Sequence, residues 1–320
     1  MSEQLVSRER AMSDPHTAES GFEQRPAGPP VISVNGLRKG FDKIEVLKGV
    51  DIDIPSGSVV GLLGKNGSGK STLIKCLLGL LRPTSGSVSV FGEDPWDLSA
   101  EAKSRLGYAA QEVSLYPWMR VRQVIEYTAA FYSNWDEATA RALTDQWELP
   151  LNERVGPMSL GQQQKLSLVL AMGHRPDLLI LDEPVASLDP SARREFLGTI
   201  LDVASSPDRT VLFSTHITSD LERVADHVAL LQDGVISYFD ELDELKESVK
   251  RLRIRSSKPL PSSFSVAGAL RCEVSGQDAL VAVPKLDESL VEELRSVWDA
   301  DVTVEDLSLE DIFLEMHHDA

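Results

Sequence analysis

The sequence predicts an α/β protein, in which a parallel sheet is covered by helices and followed by a small C-terminal α+β appendage. Three observations carry this. Short β-branched runs alternate with helical segments from "VISVNGL" at 31 to about residue 240, the pattern of parallel strands with helical crossovers. One apolar run passes through a glycine-rich loop straight into a helix, at 59–81. Beyond "SSKPLPSS" (256–263) the texture changes to short strand-like pieces, "CEV", "ALVAV" and "VTVED", with one helix near 287–298.

The elements follow in order. Residues 1–30 are polar and rich in Gly and Pro, ending "GFEQRPAGPP", and are expected to be a disordered tail. Strands are expected at 31–35, 50–54, 59–63, 178–182, 211–214 and 228–232. The decapeptide "PMSLGQQQKL" (157–166) suits a loop opening a helix, with Ser159 as its N-cap. The main unit spans 31–245 and the accessory segment 246–320. Within the latter, "KESVKRLRIRSSK" (246–258) reads as a solvated helix end and strand edge. There is no internal repeat, so the chain carries one main unit.

Composition narrows the function. The chain has 320 residues, 42% hydrophobic and 6% aromatic, as expected of a soluble globular protein. Its apolar runs fall far short of the roughly 20 residues of a membrane span. The N-terminal stretch has mixed charge and no apolar core, so it is not a secretory signal. Of the two cysteines, Cys76 lies in an apolar helical stretch and is expected to be a buried thiol, which fits an intracellular setting. The net charge is −18, with fourteen acidic against three basic residues in 271–320. Such an acidic chain is a poor holder of nucleic acid.

The chemistry begins in "VVGLLGKNGSGKSTLIKCLLGLL" (59–81). Gly64, Gly69, Lys70 and Ser71 satisfy G-x-x-x-x-G-K-[ST] between a strand and a helix. Gly64, Gly67 and Gly69 let the backbone curl with its N–H groups inward, and the helix start adds partial positive charge. The segment Gly64, Lys65, Asn66, Gly67, Ser68, Gly69, Lys70, Ser71 and Thr72 is therefore the expected nucleotide cradle. Lys70 should reach the β- and γ-phosphates, and the Ser71 hydroxyl should ligate Mg²⁺. A second apolar strand, "LLILDEP" (178–184), delivers Asp182 and Glu183 at its carboxyl end, where ligands of open α/β sheets bind. Asp182 suits the Mg²⁺ shell. Glu183, expected on the other side of the pleat, suits polarisation of the water that attacks the γ-phosphate.

With these motifs the chain resembles the ATP-binding subunit of an ATP-binding cassette (ABC) transporter, over residues 31 to about 240. The resemblance implies a P-loop NTPase cassette, with a mixed sheet and a helical signature subdomain. It also implies ATP and Mg²⁺ as ligands. Ser159, Gly161 and Gln162 match the family's serine-glycine-glutamine signature, which contacts the ATP held by the opposite subunit of a head-to-tail dimer. Phe41, in "LRKGFDK", occupies the place of the aromatic that stacks on adenine. Gln111, in "GYAAQE", resembles the glutamine that senses Mg²⁺ and the attacking water, and the segment after it would face the membrane subunit. Asp189, in "SLDP" (187–190), matches the loop that communicates across the dimer. His216, in "LFSTHI", resembles the switch histidine at the γ-phosphate and joins Glu183 as a catalytic candidate. His174, His227, His317 and His318 match no motif and read as surface or turn residues.

Partners and location are implied in the same way. They are a second ATP-binding subunit, in a homodimer or a paralogous heterodimer, and an integral membrane permease on a separate chain. The cassette would be peripheral to the cytoplasmic face of the plasma membrane. One departure is Leu160, which replaces the first glycine of the usual signature. That substitution, "FYSNWDEATARALTDQWELP" (131–150) and "SLEDIFLEM" (308–316) resemble bacterial drug-exporter members. An importer subunit is the main alternative. A chromosome or repair ATPase would need a long coiled-coil insertion, whereas about 90 residues separate Lys70 from Ser159. A cassette translation factor normally carries two cassettes. A regulator without turnover would lack Glu183.

Overall fold

The computed structural model describes residues 30–185, 188–261 and 263–316. The tail at 1–29, Ser187, His317 and His318 lie outside them. Pro30, assigned by the sequence to the tail, instead opens the first strand.

Among the described residues there are three sheets. The central one has six strands, in the order Leu106–Ala109, Leu178–Asp182, Thr210–Thr215, Val59–Leu63, His227–Gln232 and Val235–Glu241. The first five are mutually parallel and the last pairs antiparallel, so the sheet is mixed. Val59–Leu63 shows why such strands read as continuous apolar runs. Val59 and Leu63 face one core, Val60 and Leu62 the other, and no side of the strand meets water.

The two cores differ in what covers them. One is closed by the helix Lys70–Leu77 and a three-stranded antiparallel sheet of Ile44–Pro55, Pro30–Phe41 and Ser85–Val90. The other is closed by helices contributed mainly by 121–172, including Val121–Ala129, Glu137–Gln146 and Leu160–Met172. His174, expected at a surface or turn, lies in the turn after the last of these helices but is buried. Its Nε2 lies 3.1 Å from the Leu106 carbonyl and its ring stacks on Tyr132 at 4.0 Å. His227 begins a strand and stacks on Phe239. Cys76 is a buried free thiol, and Cys272 is also free.

The accessory segment forms a four-stranded antiparallel sheet in the order Arg271–Ser275, Asp278–Val283, Lys250–Ser256 and Ala300–Asp306. Its core is shared with the helix Glu288–Trp298. Of 246–258, read from sequence as a helix end and strand edge, 246–248 do close the helix Leu242–Ser248, but Lys250–Ser256 is an interior strand of this sheet. Leu252 and Ile254 alternate inward and Arg251, Arg253 and Arg255 outward. The strand's basic residues meet acidic partners: Lys250 with Asp306, Arg251 with Glu315, Arg253 with Glu305, and Arg255 with Asp278. The chain then returns. Leu307 and, on the helix Leu309–Met316, Leu309 and Ile312 are buried in the helix-covered core of the main unit, although the sequence placed them in the accessory segment.

Candidate functional site

The glycine-rich loop is shaped by steric necessity. At Gly64 a Cβ would come 2.6 Å from both the Leu231 carbonyl oxygen and Ser68 Oγ. Gly69 caps the following helix at φ 108°, left-handed backbone that side chains rarely adopt. Lys70 opens the helix and folds back, donating from Nζ to the Gly64 carbonyl at 2.8 Å and the Lys65 carbonyl at 3.3 Å. Lys65 and Asn66 are exposed at the loop's tip, and Ser68 Oγ is buried without a hydrogen-bond partner.

Asp182 ends its strand fully buried, accepting from Ser214 Oγ at 2.7 Å. Glu183 does not continue the pleat as the sequence implied. Its φ is 48°, so the chain turns left-handed, and its N–H donates to the same Ser214 hydroxyl at 3.0 Å. That turn aims the Glu183 carboxylate at the loop. Its Oε1 lies 3.3 Å from Lys70 Nζ and its Oε2 2.7 Å from Nδ1 of the exposed His216. With the carboxylate ionised, Nδ1 carries the proton that is donated.

Lys70 and Glu183 border one cavity of about 410 Å³, also lined by Val46, Asn66, Gly67, Gly69, Ser71, Thr72 and Gln111. Gln111, which follows the strand Leu106–Ala109, is thus brought beside the phosphate loop from a distant part of the chain. Phe41 does not line this cavity. It is half-exposed on the antiparallel sheet, with Lys39 Nζ 5.0 Å from its ring centre. Ser214 and Val46 were not singled out in the sequence. A serine directly after the apolar run "VLF" was the available signal for Ser214, and Val46 offered none.

The residues fit Mg²⁺ by donor chemistry. Ser71 and Gln111 offer a hydroxyl and an amide oxygen on the cavity, and Asp182 a carboxylate behind it; hard oxygen donors of this kind suit that ion. No cluster of three or more His, Cys, Asp or Glu side chains that could hold a metal occurs among the described residues. The set therefore suits an ion that takes its remaining ligands from phosphate and water.

The signature residues lie apart from the cavity. Ser159 caps the helix Leu160–Met172 in a reciprocal box. Its Oγ accepts from Gln162 N at 3.2 Å, and its own N–H donates to Gln162 Oε1 at 3.1 Å. Leu160 is 71% exposed, and no acid occupies the first turn. Asp189 caps the helix Pro190–Ala204, accepting from Ala192 N and Ser191 N, bonds that hold its carboxyl below the ordinary range. Past Gln111, four exposed aromatics form a ladder: Trp118 against Tyr116, Tyr116 against Tyr127, and Tyr127 against Phe131, with ring centres 5.2–5.7 Å apart.

Known proteins share this architecture. The family model described as "ABC transporter" matches residues 47–186. The "Aliphatic sulfonates import ATP-binding protein SsuB" of Corynebacterium glutamicum is 36% identical over 214 residues, 65% of this chain and 83% of that protein. The "Bacitracin transport ATP-binding protein BcrA" of Bacillus licheniformis is 32% identical over 221 residues, 68% of this chain and 72% of that one. The solved "Structure of ATP binding subunit of ABC transporter" superposes with a TM-score of 0.62 at 29% identity, covering 68% of this chain and 92% of that one. With a phosphate loop, a buried strand-end carboxylate pair and relatives of this kind, the chain belongs to the ATP-binding subunits of ABC transporters and is an ABC ATPase.

Proposed function

We propose that the chain hydrolyses Mg-ATP as one cassette of a head-to-tail pair and drives export through a separate membrane-spanning subunit. The observation that carries this reading is the Glu183 carboxylate, buried at a strand's carboxyl end between Lys70 and His216 and lining the loop cavity. ATP lies with its phosphates on Gly64–Thr72. Their charge draws the Lys70 ammonium from Glu183, freeing Oε1 to accept a proton from the attacking water. His216 keeps the other oxygen oriented and meets the γ-phosphate. Ser71, Asp182 and Gln111 would hold Mg²⁺, which would supply neutralisation of the phosphate charge. Phe41 receives the adenine ring.

The helix start at the exposed Ser159 and half-buried Gly161, with no acid in its first turn, suits the γ-phosphate of a partner cassette. Gln162 supports that cap, and Asp189 stands on the next helix start. The aromatic ladder from Tyr116 to Phe131 is a docking surface for the membrane subunit, since exposed apolar patches of this kind mark interfaces. No helix among the described residues is long and apolar enough to cross a membrane, so the substrate path is assigned to that partner. The exporter direction rests on the resemblance of 131–150 and 308–316 to exporter members. The sulfonate-import relative supports an importer as the second reading, and reconstitution with the partner subunit in vesicles separates the two by the side on which substrate accumulates.

Glu183→Gln tests the engine. It should retain ATP binding, lose at least ~100-fold in turnover, and form a Mg-ATP-dependent dimer by light scattering. Turnover within a few-fold of wild type removes Glu183 from the base role.

A further inference from the structure

We propose that Glu222 is a positioning residue for ATP hydrolysis, through which the C-terminal helix and the accessory sheet hold the segment that carries His216. The inference rests on the reading that Glu183 and His216 carry the reaction. The helix Thr218–Val224 begins two residues after His216, and the connecting Ile217 N–H donates to Thr215 Oγ1 at 3.0 Å. Its Leu221 is fully buried against Gly61, so closely that a Cβ on Gly61 would come 2.1 Å from Leu221 Cδ2. Gly61 belongs to the strand that delivers the phosphate loop. The same helix places the buried Asp220 on Arg193, 2.7 Å from its Nε. One short helix thus touches the phosphate-loop strand and the helix capped by Asp189, and leads directly from His216.

Its outer side is held by Glu222. Glu222 Oε1 accepts the Leu309 N–H at 2.9 Å and lies 3.4 Å from Lys246 Nζ. Leu309 is the first residue of the terminal helix Leu309–Met316, whose Leu309 and Ile312 are fully buried. The far end of that helix is tied elsewhere. Glu315, itself buried, accepts from Arg251 Nη2 at 2.6 Å and lies 3.8 Å from Arg271 Nη1, both on the accessory sheet. The Arg251 guanidinium is pushed further up from its ordinary pKa by that bond. The terminal helix is therefore a rod fixed at one end to the cassette and at the other to the appendage. A shift of the accessory sheet is passed through Glu222 to the helix behind His216.

The test compares full-length wild type with Glu222→Ala, Glu222→Gln, Arg251→Ala, Arg255→Ala and, as the control for the site, Glu183→Gln. Glutamine still accepts the Leu309 N–H; alanine does not. Glu222→Ala should lower kcat between about threefold and thirtyfold, within the ~100-fold that a 1 Å misplacement caused by a remote change can cost, with KM for ATP within about twofold. Amide exchange should accelerate across 218–224 and stay unchanged across 64–77. Glu222→Gln should keep kcat within about twofold. Arg251→Ala should lower kcat in the same direction and carries the test if Glu222→Ala fails to fold, whereas Arg255→Ala, at the far end of the same strand, should not. Wild-type kcat in Glu222→Ala with an inactive Glu183→Gln, or equal losses in the alanine and glutamine variants, overturns the proposal. An active Glu183→Gln overturns the site reading instead.

Discussion

A single hydroxyl sets the geometry of both strand-end acids. Ser214 donates to Asp182 and accepts from the Glu183 N–H, and it is fully buried. Ser214→Ala would leave that N–H unpaired and remove a donor from Asp182, a cost of about 1–3 kcal/mol. Melting should fall by roughly 2–10 °C in a protein of this size, and turnover should fall with it, because Glu183 loses the anchor of its left-handed turn. Calorimetry showing an unchanged transition would mean that water replaces the hydroxyl. This device was hard to read in advance. Asp182 and Glu183 were legible as a pair of acids after an apolar strand, but the serine that aims them comes from a strand about thirty residues later.

Helix starts were more legible than helix surroundings. Ser159 was readable as a cap because capping is local, decided within four residues. Four strands of the central sheet, at 59–63, 178–182, 210–215 and 227–232, were readable because burial on both faces leaves them mostly apolar, whereas Leu106–Ala109 and the half-exposed edge strand Val235–Glu241 carry too little of that pattern and were missed. Lys250–Ser256 misled because its ion partners, such as Glu305 and Asp306, lie some fifty residues on, so the stretch looks solvated in isolation.

The caps also make a pH prediction. Backbone donors hold Asp136, Asp189 and Asp287 below their ordinary value of 3.8, and Ser99 holds Glu93 below 4.5. A depressed carboxylate stabilises above its unfolded pKa and ceases to as pH falls through its folded one. His174 adds an earlier limb. Burial holds its imidazole below 6.5, so the unfolded chain takes up a proton that the folded chain refuses, and stability declines as pH drops below that value. Thermal melts should show a first loss starting near 6.5 and a second below about 4.5. A melting temperature constant between pH 7 and pH 5 contradicts the first, and one constant between pH 5 and pH 2 contradicts the second.

At the scale of the molecule, the accessory sheet is bracketed by the cassette. The chain leaves the main core after Val249, builds four strands and a helix, and re-enters at Leu307. Removing 307–320 should therefore destabilise the cassette. Leu307, Leu309 and Ile312 are buried there, at about 1.5–3 kcal/mol per aliphatic side chain. ATP affinity in the surviving folded fraction should change little, since every cradle residue precedes the cut. Deleting 250–306 is the gentler operation. Lys250 pairs directly with Asp306, so Val249 and Leu307 can be joined by a two-residue Asn-Gly turn. That shortened protein should melt closer to wild type than the chain cut at 306, and a scan placing it lower refutes the division proposed here.

The Lys250–Asp306 pairing makes the accessory domain equivalent to a hairpin loop grown to domain size. Both crossings occur at one doorway, one strand spacing wide. Any folded unit whose own ends lie about 5 Å apart could be spliced there without rerouting the cassette's chain, and a loop inserted at the opposite rim of the sheet would leave the doorway undisturbed. The appendage is thus exchangeable in the way a cartridge is, while Leu309–Met316 remains outside the exchange, as the latch that any replacement would have to engage.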